Sequence, residues 1–429
     1  MTGSDVVVIG AGAVGASVAY ELTRRGASVT VVDQSPGVGG GCSYANAGLL
    51  SPSHVQPLAT PANVAAGLRY MWRPDSPFYV RPSARLAPWL TRFVLSAGPR
   101  RARLLTERMR DLADRSLRLH GEYAGRGLAT GFAANGALDV FVTERRFERV
   151  LEQLRTGRAH GTGMVLSADE ARHLEPTLGD VAGAVFHPGE AQCDSLRFVD
   201  ATLSAAQAHG AEVRWGTSVR RLEIRDGRIG GLETSAGRLS AGSYVLAAGL
   251  GSGRLSATAG IRVPMTGAKG YVIDVEVAGP APRLPLTLAE LRVVATPYPD
   301  RLRLCGTLEL GSDSTTTSER RLEAIRAAGR RALPGLDVRK TIQTWAGLRP
   351  CTADGVPVIG RSERRDNLVV AAGHGMWGLV LAPVTGELVA QGVVEQQATL
   401  EDPDFAPDRF RARLHAPHHA PVHAPEAAR

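Results

Sequence analysis

The chain opens with two short apolar runs separated by a segment of helical periodicity. Val6–Ile9 and residues 28–33 are apolar runs of the kind that form buried strands. Between them, apolar positions along 14–25 recur as on a helix that packs against a sheet. The pattern predicts a βαβ unit that ends at Asp33.

The rest of the pattern mixes both kinds of element. The recurrence of Leu105, Met109 and Leu112 predicts a long amphipathic helix over 100–126. Further strands are predicted over 131–143, 212–215, 217–248 and 368–372, and within the β-rich stretch 263–310. Further helices are predicted over 168–174, 196–209, 319–333 and 378–397. Segment 54–99, rich in Pro, Trp, Tyr and Arg, is interpreted as an insertion. The His/Ala/Pro tail 413–429 is predicted to be disordered.

Composition narrows the class of protein. A chain of 429 residues with 44% hydrophobic and 21% charged residues can bury the core of more than one domain. The net charge is +8, and the basic residues are nearly all arginines, scattered from Arg24 to Arg429. Nucleic-acid-binding proteins concentrate their basic residues on one face or in one run. We therefore expect no nucleic-acid partner.

Cysteine spacing and hydropathy bear on metals and on location. Cys42, Cys193, Cys305 and Cys351 lie far apart, without the short spacings of zinc ligands. We expect no metal and no disulfide framework, as in a protein with reduced thiols. No signal peptide is evident, and no apolar run reaches the ~18 residues that span a bilayer. A cytoplasmic location is the expectation.

The first strand leads into a glycine loop with the spacing GxGxxG, formed by Gly10, Gly12 and Gly15. In such a unit the first glycine permits a tight turn, the second lets backbone approach a pyrophosphate, and the third lets helix and strand pack closely. Asp33, at the end of the second strand, is placed to accept hydrogen bonds from a ribose diol. The series predicts a dinucleotide site; the alternative is a glycine-rich turn that binds nothing.

Later strand ends distinguish FAD from NAD. A nicotinamide-binding domain continues through further βα units soon after its second strand. This chain instead enters a Gly/Ser/Asn-rich loop over 37–53. Two more strand-to-glycine junctions follow much later, YVLAAG at 244–249 and VVAAGHG at 369–375. Segments so far apart suit one extended cofactor, so FAD is favoured over NAD.

Longer motifs are more specific: SYANAG at 43–48, GTLE at 306–309, WAGLRP at 345–350, DGVPVIG at 354–360, GHGMWG at 373–378 and APVTG at 382–386. Through them, residues 4–412 resemble the D-amino-acid dehydrogenase branch of the flavin-dependent amine and amino-acid oxidoreductases, which also include glycine oxidase, sarcosine oxidase and hydroxyproline dehydrogenase. The resemblance implies a mixed α/β (α+β) fold of the D-amino-acid oxidase type. A Rossmann-like FAD-binding domain is expected at 1–125, 192–262 and 344–412, with the insertion at 54–99. A smaller antiparallel-sheet substrate domain is expected at 126–191 and 263–343.

The resemblance also assigns roles to single residues. Arg349, within WAGLRP, matches the arginine that binds the substrate carboxylate; a planar guanidinium can donate two parallel charge-assisted hydrogen bonds. The alternative is a surface arginine. Further substrate-site candidates are Tyr271, His54, Glu309, Met376 and Trp377, each with structural packing as its alternative. The residues expected to bind FAD are Gly10, Gly12, Ala13, Val14, Gly15, Asp33, Ser43, Asn46, Ala47, Gly48, Val219, Ala248, Gly249, Gly347, Gly373, Gly375, Gly378 and Leu379.

Two departures from the family refine this expectation. The monomeric sarcosine oxidases tether their flavin covalently through a cysteine at the position matched by Gly347, so the FAD here is expected to be non-covalent. The glycine oxidases have a further arginine in the segment matched by Met376 and Trp377. Its absence suggests a more apolar pocket for the substrate side chain.

The resemblance implies oxidative deamination of a D-amino acid or of a cyclic or secondary amino acid. Hydride would pass from Cα of the neutral amine to flavin N5, and the imine would hydrolyse to a 2-oxo acid. Alternatives are a flavin oxidase of glycine, sarcosine or other amines that uses O2, a flavoprotein subunit, and a tailoring enzyme for an unusual amine.

The electron acceptor is open between a quinone and O2. Aromatic residues and arginines in 68–97 suggest peripheral contact with the inner face of the cell membrane. The alternative is a contact of this segment with the substrate domain or with another subunit.

Overall fold

A computed structural model describes residues 5–411 except 71–77, 82, 157–162, 278 and 338. The strands in these ranges are β1 (Val6–Ile9), β2 (Val29–Val32), β3 (Leu49–Leu50), β4 (Phe78–Val80), β5 (Ala137–Phe141), β6 (Met164–Ser167), β7 (Gly183–His187), β8 (Ala191–Gln192), β9 (Glu212–Arg214), β10 (Val219–Arg225), β11 (Arg228–Thr234), β12 (Gly237–Leu239), β13 (Ser243–Leu246), β14 (Met265–Val275), β15 (Leu286–Leu288), β16 (Val293–Tyr298), β17 (Arg301–Leu310), β18 (Thr341–Thr352), β19 (Val358–Ser362) and β20 (Arg365–Ala372). The helices are α1 (Ala13–Arg24), α2 (Pro61–Tyr70), α3 (Ala87–Ser96), α4 (Pro99–Gly125), α5 (Glu144–Arg155), α6 (Ala168–Leu174), α7 (Ser195–Ala208), α8 (Gly251–Thr258), α9 (Glu319–Ala332) and α10 (Ala382–Val393).

The first sheet has six strands in the order β19-β20-β13-β1-β2-β9. Its pairings are parallel except for β19, which runs antiparallel to β20. Helices α1, α4, α7 and α10 cover one face, and the small sheet β10-β11-β12 with α8 covers the other. Because both faces are covered, β1 is buried along its whole length, which explains its continuous apolar sequence. The predicted βαβ unit is confirmed as β1, α1 and β2.

The second sheet has nine strands, with the main order β18-β14-β17-β16-β15-β5-β7-β6 and β4 paired to β17. Its pairings are antiparallel except for β15 with β5 and β17 with β4. An apolar core that includes Tyr271, Leu304 and Ile325 joins the sheet to α9. β4 lies within 54–99, the segment predicted as an insertion of the FAD-binding domain, yet it pairs with this second sheet. The domain limits proposed from the sequence stay a prediction.

Most predicted elements are confirmed within a few residues, and the last helix is shorter than predicted at both ends. Periodicity predicts it over 378–397, whereas α10 spans Ala382–Val393. Gly373 and Gly375 have φ values of +75° and +57°, and Gly375–Trp377 form a 3-10 turn before the helix. Pro383, near the start of α10, suits a helix N-terminus because its missing N–H is not needed there.

The aromatic residues of segment 68–97 are mostly buried, which corrects the expectation of an aromatic surface. Phe78, Trp89 and Phe93 belong to an apolar core beneath α2 and α3, and Trp89 Nε1 donates to the carbonyl oxygen of Cys351 at 3.3 Å. These aromatic rings pack the segment 68–97 against β18. Trp72 and the tail 413–429 lie outside the described residues. No helix of the described ranges is long and apolar enough to cross a membrane.

Candidate active site

One cavity of about 520 Å³ lies where the first sheet meets the second. Residues that directly follow β1, β2, β13 and β20 line it on one side. β14 and β18 of the second sheet line it on the other. The carboxyl ends of parallel strands are where α/β proteins usually bind cofactors, and the volume suits one.

The glycine loop after β1 is shaped by close backbone contacts. Gly10 has φ of +109°, and a Cβ there would lie 2.4 Å from the carbonyl oxygen of Ala247. A Cβ on Gly15 would lie 1.9 Å from the carbonyl oxygen of Gly10. Gly15 does not line the cavity, so its part is packing. Gly12 does line it, and the nearest atom to a Cβ there would be Ser43 Oγ at 3.3 Å.

The N-terminus of α1 opens onto this cavity. Gly12, Ala13 and Val14 line it, the N-cap residue Gly12 has no side chain to cap the helix, and no acidic residue stands in the first turn. Ala13 N–H donates to Ser43 Oγ at 3.1 Å. A helix N-terminus favours an anion through its N–H groups and the positive end of its dipole, so this end suits a pyrophosphate.

Asp33 stands at the end of β2 and lines the cavity. Its Oδ2 accepts from Ala11 N–H and its Oδ1 from Ser35 N–H, both at 2.8 Å. These bonds fix the carboxylate, and each oxygen keeps a further lone pair. The geometry suits hydrogen bonds from a ribose diol.

The cavity extends beyond Asp33 to the small sheet and α8. Val219, Ala248 and Gly249 line this end, and their contact with FAD stays a prediction. Sequence reasoning missed several further lining residues, among them Leu196, Trp215, Thr217 and Arg254. A signal existed for Arg254: it lies on the helix that follows the YVLAAG junction, five residues after Gly249.

The flavin loop, residues 43–48, contributes only part of its length to the cavity wall. Ser43 and Asn46 line the cavity, whereas Ala47 and Gly48 do not. Gly48 has φ of +78°, and a Cβ there would lie 2.0 Å from Tyr298 Oη. Ala47 and Gly48 therefore shape the loop on the side that faces away from the cavity.

The opposite end of the cavity is lined by Gly347, Gly373, Gly375, Gly378 and Leu379, whose predicted contact with FAD stays a prediction. A Cβ on Gly347 would lie 2.0 Å from the Trp345 ring. This position therefore offers neither a thiol nor room for one in the present arrangement. Non-covalent FAD stays a prediction that this geometry favours.

Arg349 of β18 lines the same end. Its Nη1 donates to the carbonyl oxygen of Thr307 at 3.3 Å, and its Nη2 lies 3.7 Å from Cys305 Sγ. The guanidinium lies over Gly270, where a Cβ would be 1.9 Å from Nη1. Among the described residues, no carboxylate oxygen lies within 4.0 Å of its nitrogens. Arg349 is therefore a cation whose charge is available to a ligand.

The backbone that holds Arg349 is strained at Thr307. This residue has φ of +62°, a region that β-branched side chains rarely occupy. It lies where the β14–β17 register shifts between Lys269 and Tyr271. The unusual conformation accompanies the carbonyl contact with Arg349, and strain of this kind is often found at functional sites.

Tyr271 and Glu309 are not brought to the cavity. Gly270 and Val272 line it, and because side chains alternate along a strand, Tyr271 points to the opposite face, under α9. Tyr271 Oη donates to Glu309 Oε2 at 3.2 Å, and Arg321 Nε lies 3.3 Å from the same oxygen. The predicted substrate contacts of both residues are corrected to packing and charge pairing inside the second sheet.

His54 also lies outside the cavity lining and contacts the second sheet. Its Nε2 lies 3.0 Å from Asp139 Oδ2, which His187 Nε2 approaches at 3.2 Å, and its Nδ1 contacts Ser51 Oγ. Burial lowers the pKa of His54, but Asp139 outweighs burial and raises that pKa to about 9. The structural alternative, a histidine that joins two parts of the fold, is the one that this geometry supports.

Met376 and Trp377 line a small second pocket that shares Gly373 and Gly375 with the main cavity. Trp377 Nε1 donates to the carbonyl oxygen of Gln56 at 2.8 Å. His374, between the shared glycines, has its pKa lowered to about 4 by burial. Both predicted residues thus lie beside the cavity without lining it.

A family profile described as FAD dependent oxidoreductase matches residues 5–392. The chain belongs to this FAD-dependent oxidoreductase family. The cofactor of the oxidoreductase is FAD, and the observed cradle fits it. Gly10 and Gly347 leave no room for side chains, the helix N-terminus at Gly12 faces the cavity, and Asp33 stands at the end of β2. In the described ranges, no group of three or more His, Cys, Asp or Glu could hold a metal ion.

Individual relatives agree with this assignment. A D-amino acid dehydrogenase of Paramagnetospirillum magneticum is 34% identical over 95% of the oxidoreductase and 99% of the relative. The crystal structure of glycine oxidase from Geobacillus kaustophilus has a TM-score of 0.72 and 26% identity over 95% and 99% of the two chains. Glycine oxidase from Bacillus cereus has a TM-score of 0.73, with 23% identity over 93% and 97%. The predicted fold type is confirmed.

Proposed function

We propose that this oxidoreductase removes two electrons from the C–N bond of an amino acid, a D-amino acid or a cyclic or secondary one, and yields an imine that hydrolyses to a 2-oxo acid. The observation that carries the proposal is Arg349, a cation without a carboxylate partner among the described residues, at the glycine-lined end of the cavity. The relatives named D-amino acid dehydrogenase and glycine oxidase support this substrate class.

The chain's own residues would act by positioning. FAD, when bound, would supply the two-electron acceptor for this oxidation. Arg349 would hold the substrate carboxylate through two charge-assisted hydrogen bonds. The carbonyl oxygen of Thr307 accepts a hydrogen bond from the Arg349 guanidinium, and Gly270 leaves room for that guanidinium. A fixed carboxylate restricts the orientation of Cα–H, which is the main contribution expected in a reaction of this type.

We further propose an apolar pocket for the substrate side chain. Gly373 and Gly375 line both the cavity and the small pocket beside Met376 and Trp377, whose volume of about 10 Å³ admits only a methyl-sized group. This pocket has no arginine or lysine among its lining residues. Substrates with small apolar side chains are therefore expected to react faster than those with acidic ones.

A panel of substrates tests the reaction. The purified protein with bound FAD would be mixed anaerobically with D- and L-amino acids, D- and L-proline, glycine and sarcosine while the 450 nm band is followed. Bleaching by D-amino acids or by prolines is expected. A flavin that none of the panel bleaches would contradict the proposed substrate class. Admission of air then separates a dehydrogenase, which reoxidises slowly, from an O2-using oxidase.

For the electron acceptor we propose a quinone reached at a membrane surface, with the protein on the cytoplasmic face. The aromatic rings of 68–97 do not support this contact, because those described are mostly buried. The aliphatic side chains do: Leu68 on α2 is 66% exposed, and Val94 and Leu95 on α3 are 54% and 80% exposed. Apolar residues on short surface helices suit an interfacial contact.

Flotation with anionic phosphatidylglycerol vesicles tests the contact. Leu95→Asp should reduce flotation, whereas Met164→Asp, at an exposed residue of β6, should not. No flotation of any of the three proteins would contradict membrane contact, and equal flotation of all three would contradict contact through Leu95. The alternative, a contact with another subunit, would appear as a change in oligomeric state with Leu95→Asp.

A further inference from the structure

A buried ion pair lies behind the flavin loop. Arg303 of β17 donates from Nε to Asp274 Oδ1 at 2.7 Å and from Nη2 to Oδ2 at 2.8 Å. Asp274 is wholly buried and Arg303 is 2% exposed. Burial raises the pKa of Asp274, but the Arg303 hydrogen bonds outweigh burial and lower it, so the pair is ionic. Neither residue lines the cavity.

The ion pair contacts the flavin loop through the remaining nitrogen of Arg303. Arg303 Nη1 donates to the carbonyl oxygen of Asn46 at 3.0 Å. Asn46 lines the cavity, and its own N–H donates to Ser195 Oγ at 3.1 Å. Asn46 is therefore held between the second sheet and the start of α7.

Neighbouring side chains of the second sheet bind the loop as well. Thr296 Oγ1 donates to the carbonyl oxygen of Ala47 at 2.6 Å. Tyr44 Oη donates to Gln343 Oε1 at 2.9 Å, and Gln343 Nε2 donates to Asp274 Oδ2 at 2.6 Å. The loop thus rests on a polar layer of the second sheet.

β17 connects this layer with the arginine of the substrate site. Arg303 lies four residues before Thr307, whose carbonyl oxygen accepts from Arg349. Four residues of strand span ~13 Å. One strand therefore fixes both the flavin loop and Arg349.

We propose that Asp274 and Arg303 are positioning residues for FAD: they hold the flavin loop in its FAD-binding conformation although neither touches the cavity. FAD affinity then depends on an ion pair of the second sheet. Because β17 also holds Arg349, loss of the pair is expected to affect the substrate end too.

The test must separate positioning from general loss of stability. Removal of one partner would leave a buried charge and destabilise the protein, whereas replacement of both by apolar residues is often tolerated. Asp274→Leu combined with Arg303→Met removes the contact to Asn46. Arg301, whose Nε lies 3.2 Å from Asp274 Oδ2, keeps Asp194 and Asp300 as carboxylate partners. Asp354→Leu with Arg409→Met is the matched control, because that buried pair also has bonds of 2.9 and 3.2 Å and lies outside the cavity lining.

The readouts are the FAD dissociation constant, the visible spectrum of the bound flavin, and the melting temperature of the apoprotein. The Asp274/Arg303 double variant should weaken FAD binding about tenfold and shift the flavin spectrum. The Asp354/Arg409 control should change only the melting temperature. Equal FAD affinity and equal spectra in both double variants would overturn the proposal.

A milder variant keeps the test decisive if the double variant fails to fold. Thr296→Val removes only the hydroxyl that donates to Ala47, and it should weaken FAD binding about threefold, a smaller effect than that of the ion pair. Thr287→Val in β15 is its control, because the Thr287 hydroxyl is buried with no hydrogen-bond partner among the described residues. Unchanged affinity in Thr296→Val would count against the role of the polar layer.

Discussion

The two sheets contribute to the cavity in different ways. The first sheet presents backbone: glycines such as Gly12, Gly249 and Gly373 follow its strands and line the wall. The second sheet presents side chains, above all Arg349 and Trp345. Pyrophosphate is well bound by backbone N–H groups at a helix end, whereas a substrate carboxylate is well bound by a guanidinium. Because the two sheets use different groups, we expect that substitutions can change cofactor recognition and substrate recognition separately.

We call the part of the cavity lining formed by glycine backbone of the first sheet the backbone wall, and the part formed by side chains of the second sheet the side-chain wall. The largest expected effect is that of a substitution in the backbone wall, at Gly12. Its φ of −76° suits any residue, and the nearest atom to a Cβ would be 3.3 Å away, so Gly12→Val should fold. The valine methyl groups would occupy the space into which pyrophosphate fits, and the FAD dissociation constant should rise about 100-fold. Isothermal titration of the apoprotein measures it.

Two further glycines define the limits of that test. Gly10→Val should fail to fold, because its φ is +109° and a Cβ would overlap Ala247. Gly189→Ala should be neutral, since nothing lies within 4 Å of a Cβ there. Normal FAD affinity in Gly12→Val would show that the first sheet does not recognise the cofactor through its backbone.

The next effect tests the side-chain wall at Arg349. Arg349→Ala should raise KM for the best amino acid about 100-fold, the loss expected for two charge-assisted hydrogen bonds, with a smaller change in kcat. Arg349→Lys should recover part of the loss, because lysine keeps the charge without the fork of donors. Steady-state kinetics measures both.

Arg254 offers a matched arginine at the other end of the cavity. Arg254→Ala should weaken FAD binding and leave KM for the amino acid unchanged at saturating FAD, because Arg254 lines the end near Val219 and Ala248. If Arg254→Ala and Arg349→Ala had the same effects on FAD affinity and KM, the separation of the two walls would be lost.

The smallest effect tests the contact between segment 51–54 and the second sheet at His54. Because Asp139 raises the pKa of His54 above the unfolded value, the stability it contributes is complete below pH 6.5 and is lost as pH rises to about 9. The free energy of unfolding should fall by about 1 kcal/mol over that interval, since the ring is partly exposed. His187, Glu190 and Arg110 also surround this site.

Urea titrations at pH 6.5 and 9 measure the effect. His54→Gln should flatten the pH dependence, and His173→Gln, at an exposed histidine, should preserve it. A parent protein whose stability does not change between these pH values would contradict an ionic contact between His54 and Asp139.

The backbone wall could be predicted from the sequence and the side-chain wall only in part. Gly10, Gly12 and Asp33 are recognisable from their spacing along the chain. The dinucleotide site could therefore be predicted from local sequence. In the second sheet a shift of one residue moves a side chain to the other face. A register irregularity between Lys269 and Tyr271 is not visible in the sequence, so the choice between a substrate contact and packing for Tyr271 could not be made from it.

Long-range partners were the other part that the sequence did not reveal. His54 pairs with Asp139, 85 residues away, and Arg303 reaches Asn46 across 257 residues. Neither contact has a local pattern, because each arises only when the second sheet packs on residues 43–54. Arg349 was found because a motif of the family surrounds it, not because its spacing indicates a free cation.

The left-handed conformation of Thr307 has a consequence for protein engineering. Glycine would adopt φ of +62° without strain, so a screen for thermal stability alone would favour Thr307→Gly. The same change would make β17 more flexible at the carbonyl group that holds Arg349. Arg349 would then bind a carboxylate less tightly. Heat resistance and substrate affinity would then be selected in opposite directions at a single position.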